Sequence, residues 1–336
     1  MFINFFRSAR FVNLLMLPLV MLVMWVFILP KPEITNTENA FPLFLYILQS
    51  LRTNREILMV FSVVLIVLQA FLLTEVINRQ NVLRESSHLP ALMYVVLMSC
   101  FPEQLSFNPL LIANFFIIIF LNSLFNFYKS DEIAFDAFDA GLFIGIATLF
   151  YWPSIFLFPL IWSALIVLRT FVWREWVASF IGILLPFFYF CALMYWYDQL
   201  SINSIIAILA PFYSVQFSTE INTTYIILII ILSALAIASI IKFSQDLNTY
   251  AKLRTRKFLA LFIWFFLFAA FSYLLSSKKT MISLSFLAIP LSVIMSNYFL
   301  SVKKQLFAEI IFIILLIAVI YNQVQYFLQF SPFTFK

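Results

Sequence analysis

Residues 99–162 read SCFPEQLSFNPLLIANFFIIIFLNSLFNFYKSDEIAFDAFDAGLFIGIATLFYWPSIFLFPLIW, and how this stretch is read decides the fold. Nearly every side chain in it is hydrocarbon or aromatic ring. Its carboxylates stand in two places: Glu103, between Pro102 and the Asn108–Pro109 pair, and an acidic cluster of Asp131, Glu132, Asp136 and Asp139. An α-helix rises about 1.5 Å per residue, so about twenty apolar residues cross the roughly 30 Å hydrocarbon layer of a bilayer. Residues 108–127 meet that length, and 137–150 form a shorter run. Both sets of carboxylates then fall at the ends of spans.

Outward from this stretch the pattern repeats. Hydrophobic residues make up 64% of the 336, charged residues 10%, and the mean hydropathy is +1.05. No soluble core could hide so much apolar surface, so the chain belongs in a bilayer. Apolar runs lie at about 10–29, 57–77, 89–101, 108–127, 137–150, 153–169, 176–197, 224–242, 258–276, 281–299 and 305–328. The expected fold is all-α: a polytopic transmembrane helical bundle of about eleven spans, forming one integral membrane domain over residues 1–336. The third and fifth runs are short. They are expected to start inside the headgroups or to pair with a neighbour as a re-entrant unit. The first run has a basic flank, as signal peptides do, but it is too long for an h-region and lacks a small-residue cleavage site. It is expected to remain as the first span.

Cytoplasmic loops hold the excess of Lys and Arg. With the N-terminus inside, 14 of the 20 cations fall in cytoplasmic segments and 6 (Lys31, Arg52, Arg55, Lys278, Lys279, Lys336) outside. The expected orientation is therefore N-terminus cytoplasmic, C-terminus periplasmic. The net charge of +5 and the basic run KLRTRK (252–257) follow from this topology and from attraction to anionic lipid, with no need of nucleic acid. Two outer segments, 30–56 and 198–223, are long. In the first, FPLFLYILQSLR is too short to span and reads as an interfacial helix with Pro42 near its first turn; the second is interrupted by Pro211.

Several chemistries are excluded. Three glycines cannot build a phosphate-cradling loop. A single histidine, His88, cannot form a zinc, haem or multi-histidine iron site, and it reads as a solvated loop residue. Cys100 and Cys191 form neither a metal pair nor a redox motif. Asn108, Asn114, Asn122, Asn126, Gln69, Asn322 and Gln323 are the polar groups deepest in the apolar runs and are expected to face the bundle interior as interhelical glue. Gly141 and Gly145, with Ala137 one turn before, form a small-residue stripe for close helix approach. Trp173 to Trp176, WREW, reads as an interfacial anchor.

The candidate chemistry lies in outer loops. Glu103 sits in the second outer loop, and Glu33 and Glu38 belong to the first. Partial desolvation at such a boundary raises a carboxyl pKa and suits it to base work. The bland alternative is that all three are simply solvated.

The arrangement of a first span, a long outer loop with an interfacial helix, an acid in the second outer loop and a basic turn leading into AFDAGLFIGIATLFYWPSIFLFPLIW (137–162) resembles the membrane core of the GT-C superfamily. Gly141, Gly145, Pro153 and Pro159 carry the likeness, which covers about residues 1–170; residues 171–336 are then additional helices. The resemblance implies a polyprenyl-phosphate-sugar-dependent glycosyltransferase acting on the periplasmic face. Glu33, Glu38 or Glu103 would serve as base and Arg52 or Arg55 would bind lipid phosphate. No cofactor and no metal site are expected in this chain, with room left for a divalent cation. Catalytic members usually carry an aspartate in the first outer loop and a soluble outer domain. Here that loop has none, and only SPFTFK follows the last run.

The whole chain also resembles an uncharacterised family of Bacteroidota inner-membrane proteins, through FFRSARFVN, GLFIGIATLFYWPS and WREW. The expected protein is thus a multi-pass protein of the cell inner membrane. Its partners are membrane lipids, a polyprenyl-phosphate-linked sugar and other membrane proteins. The alternative is a non-catalytic scaffold or lipid-binding subunit of a cell-envelope assembly.

Overall fold

The structure of the protein, a computed structural model, describes residues 2–8, 13, 16–25, 37, 39–50, 55–128, 132–168, 171–198, 223–249, 253–276, 280–302 and 305–329. These residues are helical almost throughout. In chain order the helices are α1 (Phe2–Arg7), α2 (Leu17–Trp25), α3 (Pro42–Ser50), α4 (Arg55–Arg79), α5 (Leu89–Met98), α6 (Pro109–Asn126) and α7 (Ile133–Phe150). They continue as α8 (Phe158–Leu168), α9 (Trp173–Trp196), α10 (Thr223–Thr249), α11 (Leu253–Leu275), α12 (Ala288–Ser301) and α13 (Gln305–Gln329). Tight 3-10 turns at Pro102–Leu105, Trp152–Leu157 and Ile282–Leu287 lead toward α6, α8 and α12. Among the described residues, eight helical segments are long and apolar enough to cross a membrane, and Leu89–Met98 and Trp152–Leu168 are shorter apolar helices. Part of the first expected span, 10–29, lies outside the described residues.

Proline marks where helices start. Pro109 is the first residue of α6, Pro42 opens α3, Pro90 lies in the first turn of α5, and Pro102 opens its 3-10 turn. Proline has no N–H to lose there, because the first N–H groups of a helix have no internal partner anyway. The third span is short, as the sequence indicated. The fifth is not: helix α7 begins at Ile133 and runs 18 residues, so Asp136 sits in its first turn and Asp139 close behind, near the positive end of the helix dipole.

Helix α5 is the centre of the bundle. All ten of its residues are buried, and at about 15 Å long it covers only half a bilayer. A helix that stops inside apolar surroundings leaves carbonyls without partners. Here α13 supplies them: the Gln323 amide N–H donates to the Ser99 carbonyl at 2.8 Å and that of Asn322 to the Cys100 carbonyl at 2.9 Å. The Trp25 indole N–H donates to Ser99 Oγ at 2.8 Å, tying α2 to the same point. Midway along α5 the Tyr94 hydroxyl donates to Gln69 Oε1, and Gln69 Nε2 donates to the Leu111 carbonyl, both at 2.6 Å. Gln69, Asn114, Asn322 and Gln323 are all buried, so the deep amides do serve as interhelical glue.

His88 departs from expectation. It is buried, and its backbone N–H donates to the Phe6 carbonyl at 3.0 Å, because α1 folds over the start of α5. Both cysteines are free, Cys100 buried and Cys191 exposed.

The three glycines of the chain meet at one crossing. Gly141 and Gly145 of α7 face Ser179, Ile183 and Pro186 of α9, and Gly182 of α9 faces Phe138 and Leu142 of α7. The outer flank of α9 is exposed. It carries Trp173, 69% exposed, at one end and Tyr195, Trp196 and Tyr197 at the other. The two tryptophans are about 34 Å apart along the helix, the spacing of the aromatic belts at the two faces of a bilayer. Trp176 instead stacks on Trp162, ring centroids 5.2 Å apart.

The bundle has two chemically distinct ends. At one, the Arg254 guanidinium donates to Gln80 Oε1 at 2.6 Å and lies over the Tyr128 and Phe258 rings, while Lys257 Nζ donates to the Leu168 carbonyl at 3.2 Å. At the other, the Phe41 N–H donates to the Phe150 carbonyl at 3.0 Å, the Tyr151 hydroxyl donates to Ser283 Oγ at 3.2 Å, and the Tyr225 hydroxyl reaches Glu103. This second end holds the candidate site.

Candidate functional site

Glu103 lies on the 3-10 turn Pro102–Leu105, between the end of α5 and the start of α6. Side-chain hydrogen bonds lock that turn. Asn108 caps α6: its Oδ1 accepts from the Leu111 N–H at 2.8 Å, and its Nδ2 donates to the Ser106 carbonyl at 2.9 Å and the Gln104 carbonyl at 3.3 Å. Ser106 Oγ donates to the Glu103 carbonyl at 2.7 Å. The backbone at Glu103 is therefore pinned from two sides before its side chain is considered.

The Glu103 carboxylate is half-buried, and its Oε1 accepts from the Tyr225 hydroxyl at 3.2 Å. The Tyr225 ring sits edge-on to Phe101, centroids 5.4 Å apart, which fixes the start of α10 against the turn. The next residue, Gln104, is 2% exposed. Its Nε2 donates to the Met281 carbonyl at 3.2 Å, while its Oε1 has no hydrogen-bond partner among the described residues.

A groove of about 340 Å³ opens beside these residues. One wall is α10, from Ile229 to Ile240; the other is Leu284 to Met295, along the 3-10 turn and α12; the C-terminal end of α5 and Gln104 close it. It exists because Ser233, Ala236 and Ala288 are small where larger residues would fill the space. The α10 wall is about 16 Å long, counted at the helical rise. Ile237, 58% exposed, lines it, so the groove reaches the outer apolar surface of the bundle.

Of the candidate bases and phosphate-binding residues expected from sequence, Glu103 is the one whose side chain is described. Glu33, Glu38 and Arg52 lie outside the described residues; Arg55 begins α4, but its side chain is likewise outside them. The chain just after Glu38 is placed: Ala40 forms an antiparallel bridge with Tyr151, whose hydroxyl reaches Ser283, two residues from the Met281 that holds Gln104. Residues 39–41 thus stand at the Glu103 end of the bundle. Among the described residues, no three His, Cys, Asp or Glu side chains gather as a metal site requires.

Sequence reasoning missed Gln104 and Tyr225. Gln104 carried a signal, as a polar neighbour of Glu103 in an apolar turn. Tyr225 carried none, since 122 residues separate it from its partner. No curated protein and no solved structure matches the chain. A family of unknown function, DUF6427, matches residues 39–329, which take in the Glu103 turn, both walls of the groove and α5; the chain belongs to that family.

Proposed function

We propose that this protein is a lipid-binding, multi-pass protein of the cell inner membrane that takes the hydrocarbon tail of a lipid-linked molecule into the groove, with the head group at the Glu103 turn. The observation that carries this reading is the groove itself. It is apolar along its length, opens on the outer apolar surface, and ends beside a carboxylate held by Tyr225. Ligand sites of this kind are concave and mostly apolar, with a few convergent polar groups. In this reading the chain is a single membrane domain that crosses about eleven times, N-terminus in the cytoplasm, and the Glu103 turn faces the periplasm. The Lys and Arg distribution supports that orientation.

The carboxylate favours a catalytic form of the same reading: transfer of a sugar from a polyprenyl-phosphate carrier. An acceptor hydroxyl attacks the anomeric carbon while Glu103 takes its proton. The bond from that carbon to the phosphate oxygen breaks, and its electron pair leaves on the polyprenyl phosphate. Arg52 or Arg55 would hold that phosphate in a bidentate fork. Glu33 and Glu38 are alternative bases. Without the chemistry, the same groove makes the protein a lipid-holding subunit of a cell-envelope assembly.

The test is mass spectrometry of lipids that copurify with the wild type and with Ala236→Trp, whose indole would fill the groove. One lipid held by the wild type and lost from a folded Ala236→Trp is the expected result. Equal retention by both would sink the reading.

A further inference from the structure

The unmet acceptor on Gln104 says what kind of lipid the groove takes. Its amide can point only one way: the Met281 carbonyl can only accept, so the Gln104 N–H faces it and the amide oxygen is turned elsewhere. That oxygen is buried without a partner among the described residues, in a side chain 2% exposed that forms part of the groove wall. A buried acceptor left unpaired carries a free-energy cost that a donor brought by a ligand relieves. A bare hydrocarbon tail has no donor to bring, and neither does an ionised phosphate. The Glu103 carboxylate on the adjoining residue is a second acceptor at the same end, already taking one hydrogen bond from Tyr225.

We propose that the groove selects lipids that carry a neutral hydrogen-bond donor, a hydroxyl or amide N–H, where head group meets tail, and that Gln104 is the residue that recognises it. This rests on the lipid-groove reading and deepens it. In the catalytic form, the occupant beside Glu103 is then the hydroxyl-bearing acceptor lipid. A site built around a hydrogen bond discriminates against an analogue lacking the donor far better than an apolar pocket discriminates by size.

The experiment uses the full chain in detergent micelles and two probes with the same oleoyl tail: 1-monooleoylglycerol and its 2,3-di-O-methyl ether, which keeps the tail and glyceryl head but has no donor. Binding is read by native mass spectrometry across a titration. The wild type is expected to hold monooleoylglycerol about tenfold more tightly than the ether, the effect of one buried hydrogen bond. Gln104→Leu is expected to bring the two to equal affinity by weakening monooleoylglycerol alone. If the wild type binds both probes equally, the selectivity proposal fails while the groove stands. Binding of neither probe removes the groove reading and this proposal together. A Gln104→Leu variant that keeps the preference shows another acceptor at work and overturns the role given to Gln104. The wild-type comparison decides the selectivity even where the variant does not fold.

Discussion

Gly141 and Gly182 interlock across the α7–α9 crossing, each against the backbone carbonyl three residues before the other: Gly141 against Ser179, Gly182 against Phe138. A Cβ at either position would collide with that carbonyl, and backbone cannot swing aside as a side-chain tip can. The two helices run parallel here, since Gly145, one turn after Gly141, meets Ile183 and Pro186, one turn after Ser179. Close backbone approach of this kind is how helices associate where the surroundings are as apolar as the helices themselves.

Gly141→Ala and Gly182→Ala are each expected to destabilise the protein by about 1–3 kcal/mol, the usual cost of overpacking. The measurement is the thermal midpoint in detergent. Gly145→Ala should cost less, because its nearest contacts, at 2.8 and 2.9 Å, are less severe and one of them is the Pro186 ring. Unchanged midpoints for Gly141→Ala and Gly182→Ala would mean that α9 packs elsewhere.

Asn322→Leu and Gln323→Leu leave the Cys100 and Ser99 carbonyls at the buried end of α5 without their amide partners. Each is expected to cost about 1–3 kcal/mol, read as a lowered unfolding midpoint. The double variant should lose roughly the sum, since the two amides bond different carbonyls. A variant as stable as the wild type would show that α5 does not end against α13.

Tyr225→Phe removes the hydroxyl bonded to Glu103 but keeps the ring against Phe101. Its abundance in the membrane is expected to match the wild type. If Glu103 is a base, Glu103→Gln abolishes transfer without loss of protein, and Tyr225→Phe changes the rate about ten- to a hundredfold, the worth of one hydrogen bond to a charged group. Product glycolipid, followed by mass spectrometry, is the readout. Full activity in Glu103→Gln would leave only the lipid-holding form of the function.

The orientation is open to cysteine labelling. In a Cys191→Ser background, Thr37→Cys, near the Glu103 end, is expected to react with a membrane-impermeant maleimide added to intact cells. Arg84→Cys, exposed at the Arg254 end, should react only after the membrane is opened. Cys100 is buried and adds little background. The reverse pattern would turn the protein over and place Glu103 in the cytoplasm.

Most of the helices were legible because membrane helices announce themselves by length and hydropathy alone. The 108–127 run became α6 nearly residue for residue, and the Gly141–Gly145 stripe was found where a neighbour packs. The start of α7 was placed four residues late because the apolar run begins only after Asp136, whereas the helix starts at Ile133 and takes that carboxylate into its first turn. His88 was misread because its polarity said water, while α1 covers it.

Composition alone established that this chain lives among lipids, since nothing else can solvate so much hydrocarbon. Which helices touch was decided by tertiary packing: that α5 is wrapped on every side, that Tyr225 meets Glu103, that small residues on α10 and α12 leave a groove. Hydropathy reports the medium around a helix but not its neighbours, because in hydrocarbon a lipid tail and a leucine are nearly equivalent, and only shape and a few hydrogen bonds choose between them.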